Sequence, residues 1–270
     1  AISRWVPVLA ALALEVCGGS IYITGLYTSD LKERFFSDGT GQAQVEQLVF
    51  ACNLGNWLPA SGFFFDSRLG GARNTVLAAS IFTLIGYAGL WAWSARLVEL
   101  SYWQVWCLWF LWGHGSGWFD CAAVTTASRN FPLQQGSAMA LIKAFYGLSG
   151  SLLTQVFNVF FFGQTSGFLL FLAVFLGGVG VLILPFVYLV PDSAHCERDQ
   201  PDKRFRRGLG TVLGLAALLL VVALLRVAWG SPRALNVFAL VAVSIVLAFL
   251  TSILPGSWVA VEPGDVGVGA

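Results

Sequence analysis

Residues 167–190 read GFLLFLAVFLGGVGVLILPFVYLV, a run without one charged side chain. A hydrocarbon core of ~30 Å is crossed by about 20 helical residues at 1.5 Å each. Backbone N–H and C=O groups in lipid must find partners inside their own segment, which a helix provides. Barrel strands would instead show alternating polarity, in pieces of about ten residues. The apolar runs here are continuous. Moving outward from residue 167, seven further stretches have the same character: Trp5–Tyr27, Val45–Phe65, Thr75–Ala95, Tyr102–Ser128, Ala138–Phe161, Leu209–Val227 and Ala234–Leu254. The fold class expected is all-α, a polytopic membrane helical bundle of about eight transmembrane helices.

Composition agrees. Of 270 residues, 57% are hydrophobic and 11% charged, and the mean hydropathy is +0.76. A soluble domain carries roughly 25% charge, so too few polar groups exist here to cover a water-facing surface. A net charge of +1 leaves no electrostatic footprint for nucleic acid. No His/Cys cluster has metal-ligand spacing, so neither metal nor cofactor is expected. Cys17, Cys52, Cys107 and Cys121 fall inside apolar runs and read as packing residues, while Cys196 lies in a polar loop.

Lys and Arg in the loops set the orientation. With the N-terminus in the cytosol, the inner loops hold nine: Arg4, Arg68, Arg73, Arg129, Arg198, Lys203, Arg204, Arg206 and Arg207. The outer side holds five, Lys32, Arg34, Arg96, Arg226 and Arg233, and Lys143 is intramembrane. Both termini are therefore expected in the cytosol. The segment PDSAHCERDQPDKRFRRG (191–208) reads as a basic cytosolic linker between residues 1–190, with six spans, and residues 209–254, with two. Residues 255–270 are Gly-rich and read as a flexible tail.

Ionisable groups within spans cost roughly 2.5–3.5 kcal/mol each on insertion scales, so each is a functional hypothesis. Glu15, His114, Asp120 and Lys143 are such groups. Helical spacing places Glu15 with Gly18, Gly19 and Tyr22, and Asn53 with Asn56 and Ala60. In the same way Asp120 joins Gly113 and Gly117, and Lys143 joins Gly147, Gly150 and Thr154. Small residues beside polar ones mark helix interfaces or a cavity wall rather than a lipid face. Glu15, Asp120 and Lys143 are expected at a similar depth. An Asp120–Lys143 pair would lock two helices together, or one of the two acids would titrate or bind substrate. His114 reads as a hydrogen-bonded packing residue.

The loop Gly62-Phe-Phe-Phe-Asp66-Ser-Arg68-Leu-Gly70-Gly71-Ala-Arg73 places a carboxylate at one helix end, glycines for a tight turn, then basic residues. Such a loop suits a cytosolic latch made in one conformation and broken in the other.

This loop resembles the signature between helices two and three of the major facilitator superfamily. The stretch from Gly113 through Asp120 to Asn130-Phe-Pro132, followed by Gly136, Lys143, Gly147, Gly150 and Thr154-Gln155, is similar to the nodulin-like branch of that superfamily, the nuclear-fusion-defective-type proteins. The opening Arg4-Trp5 and Asp30-Leu31-Lys32 also fit it. The resemblance expects an amide at Asp120, matches Lys143, and lacks the helix-four arginine typical of proton-coupled relatives. It implies an N-terminal six-helix half built of two inverted three-helix repeats, plus two further helices. A second six-helix half would lie elsewhere in a larger carrier.

The function it implies is alternating-access transport of a small polar or anionic solute. Glu15, Asn53, Asn56, Asp120, Lys143 and Gln155 would then line the cavity for substrate or coupling ion. Two other classes compete. A non-transporting scaffold or subunit would use the 11 Trp and 22 Phe for pigment or protein contacts. An intramembrane serine protease would use Gly147-Leu-Ser149-Gly150, but needs a base within reach of Ser149, and the only later histidine is His195. No enzyme activity is expected.

Overall fold

The computed structural model describes residues 3–35, 41–190, 201–229 and 233–253. Every regular element among them is helical. Helix α1 (Trp5–Gly18) passes through a 3-10 turn at Gly19–Ile23 into α2 (Gly25–Phe35). There follow α3 (Gly41–Trp57), α4 (Ala60–Phe65), α5 (Ala72–Ser94), α6 (Tyr102–Asn130) and α7 (Gln135–Val156). The last are α8 (Thr165–Ile183), α9 (Pro201–Trp229) and α10 (Arg233–Ile253).

Six stretches among the described residues are long and apolar enough to cross a membrane: Trp5–Glu33, Gly41–Phe65, Ala72–Ser94, Thr165–Phe186, Pro201–Ala228 and Arg233–Leu250. The chain is thus an all-α polytopic membrane bundle. The other two of the eight expected spans correspond to α6 and α7, which have 29 and 22 residues but are less apolar. They carry His114, Asp120, Arg129, Lys143 and Gln155 and are shielded by their neighbours: α6 lies against α1, α3, α5 and α7. Polar side chains are tolerated where protein, not lipid, surrounds them.

Two boundaries differ from the sequence expectation. The first span runs on as helix to Phe35 rather than ending at Tyr27. Of the expected linker, 191–200 lies outside the described residues, and 201–208 forms the first two turns of α9. The expected tail, 255–270, also lies outside them.

Helix α6 meets α3 backbone to backbone. A Cβ built on Gly113 would collide with the Cys52 carbonyl oxygen and come within 2.7 Å of its Cα, and one on Gly117 would lie 2.5 Å from the Asn56 carbonyl oxygen. Across the same seam, a Cβ on Gly55 would run into the Phe110 carbonyl. On the other side of α6, a Cβ on Gly18 would touch Ser116 and Tyr146 at 3.2 Å, so α1, α6 and α7 converge there. Gly150 abuts Tyr22, its Cβ position 2.7 Å from the tyrosine Cβ. Gly147, expected on the same packing stripe, has open space instead, with no atom within 4 Å of an added Cβ.

Proline 59 separates α3 from α4 and has no N–H to offer the carbonyl four residues back, that of Gly55. His114 on α6 supplies the missing donor, its Nδ1 lying 2.9 Å from the Gly55 oxygen. The indole Nε1–H of Trp118 donates to His114 Nε2 at 2.9 Å. An indole N–H only donates, so Nε2 accepts and Nδ1 holds the hydrogen: the ring is the neutral Nδ1–H tautomer. His114 is therefore a structural residue that repairs a proline break.

Two outcomes follow for thermal unfolding in detergent. Gly113→Leu is expected to lower stability by about 1–3 kcal/mol or more through overpacking, whereas Gly147→Leu is expected to leave it nearly unchanged. His114→Phe is expected to cost roughly 1–3 kcal/mol, because the Gly55 carbonyl and the Trp118 N–H both lose their partner. Equal effects at Gly113 and Gly147, or no effect at His114, would refute these assignments.

Candidate functional site

Asp120 projects from α6 and Lys143 from the third turn of α7, and the two form an ion pair, Nζ to Oδ1. The pair is not sealed, since the Lys143 side chain is 44% exposed and that of Asp120 26%. The ammonium also lies over the Tyr146 ring, 5.0 Å from its centroid, and Tyr146 meets Tyr22 edge-on at 5.3 Å. Behind them, on α1, Glu15 is fully buried. Its carboxylate lies within interaction range of the Asp120 carboxylate, and the charges of both Asp120 and Lys143 act on it. Two acids and one base thus share a patch where three helices converge at Gly18.

The remaining cavity candidates separate. Asn56 donates to Ser116 Oγ at 3.1 Å, and Ser116 donates on to the Gly18 carbonyl, so α3, α6 and α1 are joined by one chain of bonds. Asn53 turns back on its own helix and donates to the Val49 carbonyl at 2.9 Å. Gln155, expected in the same cavity, does not join it. It stands roughly 18 Å further along α7 at helical rise, where its Oε1 accepts from the Arg226 guanidinium at 2.5 Å. Arg226 also donates to Asn236 Oδ1 at 3.0 Å.

In the loop after α4, Asp66 takes its partner from the far end of α6. Arg129 donates to its Oδ1 at 2.6 Å, with side chains 46% and 62% exposed respectively, and lies over Phe65 at 5.1 Å. Arg73, at the start of α5, donates through Nε to the Val187 carbonyl at 3.2 Å. Gly71 has φ +86°, a left-handed turn that favours glycine, and a Cβ on Gly70 would strike the Phe64 carbonyl. Arg68 stands exposed in the turn. The loop is therefore held at two points, to α6 by Asp66 and to the end of the α8 segment by Arg73.

Asn130, which closes α6, was not singled out as a site. It is fully buried, donates to the Tyr188 carbonyl at 2.9 Å and accepts from the Val190 N–H at 2.7 Å. A buried amide just before Phe131-Pro132 was the available signal, because a helix end there leaves backbone groups to satisfy. Ser149, the hypothetical nucleophile, is buried, donates to the Tyr146 carbonyl at 2.5 Å and lies against Gly19. His114 is engaged by Gly55 and Trp118, and His195 lies outside the described residues.

Because the Asp66–Arg129 pair is solvent-accessible, Asp66→Asn or Arg129→Ala alone is expected to shift unfolding by less than ~1 kcal/mol. The charge swap Asp66→Arg with Arg129→Asp is expected to recover the wild-type midpoint. A loss of several kcal/mol from either single change would contradict the exposed geometry.

No curated protein sequence matches the chain. A family model described as Nodulin-like matches residues 4–254, from the residue before α1 to the end of α10. The match covers nearly all of the 270 residues, and with this helical bundle beneath it, the chain belongs to the Nodulin-like family.

Proposed function

We propose that the protein is a membrane transporter that moves a small polar or anionic solute by alternating access. One observation carries this reading: an ion pair from two interior helices, Asp120–Lys143, is left accessible on one side while Glu15 is buried behind it. Contact between such a pair and hydrocarbon would cost roughly 2.5–3.5 kcal/mol per charge on insertion scales. That side of the bundle therefore turns toward water or further protein. A cavity wall facing a second six-helix half of major-facilitator type meets both conditions. The Nodulin-like match supports a membrane protein and is compatible with this role.

In this mechanism a carboxylate-bearing solute competes with Asp120 for the Lys143 ammonium, and the Tyr146 face stabilises the cation when it turns. Glu15 then offers a second acid for Lys143 when Asp120 is released. Asn56 and Asn53 flank the path on α3. The Asp66–Arg129 and Arg73–Val187 contacts form the latch at the cytosolic ends, with both termini on that side, and their exchange would accompany rocking of the two halves. Gln155 has no part in this cavity.

The test is uptake of a panel of labelled carboxylates and amino acids into proteoliposomes holding the full-length protein. Lys143→Met is expected to lower uptake on the order of tenfold or more, equivalent to ~1.4 kcal/mol or more, with thermal stability changed far less. Uptake equal to wild type at every pH would remove Lys143 from the mechanism. No uptake of any solute by the wild type would favour a non-transporting scaffold.

A further inference from the structure

Helix α9 is fastened at both ends. Near its start, Phe205 packs between Trp5 and Phe131, with ring centroids 4.9 Å from each. Near its end, Arg226 is bonded to Gln155 on α7 and Asn236 on α10. Between these anchors a groove of about 1060 Å³ opens between α9 and α10. Arg207, Gly210, Thr211, Gly214 and Leu218 line it from α9, and Val246 and Phe249 from α10; the Thr211 hydroxyl is turned back to the Arg207 carbonyl at 3.0 Å.

Glycines four apart on a membrane helix ordinarily admit a neighbouring backbone, as Gly113 and Gly117 do on α6. Gly210 and Gly214 admit nothing: a Cβ on either would meet no atom within 4 Å. The small residues leave a trough that the described protein does not fill. From Arg207 to Leu218 the trough runs about 16 Å at helical rise, close to half of a ~30 Å hydrocarbon core. It is one leaflet deep.

Its shallow end is basic. Lys203, Arg206 and Arg207 are exposed on the opening turns of α9, beside a single exposed acid, Asp202. No carboxylate of the described residues forms an ion pair with any of the three. Arg204, between them in sequence, lies over the Trp5 ring at 5.5 Å instead.

An apolar trough one leaflet deep, ending in cations at the membrane surface, matches an amphiphile with a negatively charged head. We propose that the α9–α10 groove is a binding site for one anionic phospholipid. An acyl chain lies along Gly210, Gly214 and Leu218 against Val246 and Phe249, and the headgroup phosphate is held by Arg207, with Lys203 and Arg206 around it. A zwitterionic lipid would fill the trough equally but would leave the cations without a counter-charge. A second helix would fill it and bring no negative charge. The site stands independently of the transport reading, since none of its residues belongs to the Glu15–Asp120–Lys143 patch.

The test is native mass spectrometry of the full chain in neutral detergent, titrated separately with phosphatidylserine and phosphatidylcholine. The wild type is expected to retain one phosphatidylserine with a preference over phosphatidylcholine on the order of a hundredfold, about fivefold for each basic residue near the surface. Arg207→Gln is expected to lower that preference about fivefold, and Lys203→Gln with Arg206→Gln and Arg207→Gln to abolish it. Gly214→Leu is expected to expel both lipids without lowering the unfolding temperature, because its side chain enters open space. Equal retention of the two lipids, or a preference that survives the triple substitution, would overturn the proposal. So would a dimer that Gly214→Leu dissociates, which would assign the groove to a second copy of the chain.

Discussion

The backbone approach of α6 to α3 fixes the position of nearly everything else. Gly55, Gly113 and Gly117 remove the side chains that would hold the two helices apart, and only at that separation does His114 reach the Gly55 carbonyl. The reach matters because the second span contains a proline. In a hydrocarbon surrounding, a carbonyl that lacks its helical donor has no water to turn to. His114, expected from the sequence as a hydrogen-bonded packing residue, is thus the means by which a broken helix is kept inside the bundle. The same approach brings Ser116 between Asn56 and the Gly18 carbonyl, tying a third helix to the seam.

With α6 held in this way, its two charges fall to separate tasks. Asp120 lies at the convergence of α1, α6 and α7, close to Lys143 and Glu15. Arg129, about two and a half turns further along, reaches the loop after α4 and pairs with Asp66. One rigid element therefore connects the acidic patch in the interior with the fastening at the helix ends. A shift of α6 along its axis would disturb both. Asn130 adds to this by bonding the end of α6 to the chain at Tyr188 and Val190.

The α9–α10 hairpin is attached by a different logic. Its anchors are an aromatic cluster at one end, where Trp5, Phe131 and Phe205 meet, and a guanidinium held by two amides at the other. Neither depends on close glycine packing. Gly210 and Gly214 of α9 consequently stay open, with no atom of the described residues within 4 Å of an added Cβ. The two halves of the described chain thus use the same residue type for opposite ends: closure in α6 and vacancy in α9.

The membrane setting, the all-α class and the number of long segments follow from sequence alone, because a chain with 11% charge cannot cover a soluble surface and uninterrupted apolar runs satisfy their backbones only as helices. The proximity of Asp120 and Lys143 was also readable, since both lie a similar distance from the turn at Pro132. Helical periodicity assigns faces, and it placed Gly113 and Gly117 correctly at an interface. It gave Gly147 the same role, where the structure leaves open space, while the transport reading grouped Gln155 with Lys143, some 18 Å away along the same helix. The partners of His114, Asp66 and Arg226 come from segments 59, 63 and up to 71 positions distant. Pairings at such separation depend on how helices cross, a quantity set by the summed packing of all of them. Sequence periodicity determines which side of a helix is polar; only the tertiary structure decides which other helix that side meets.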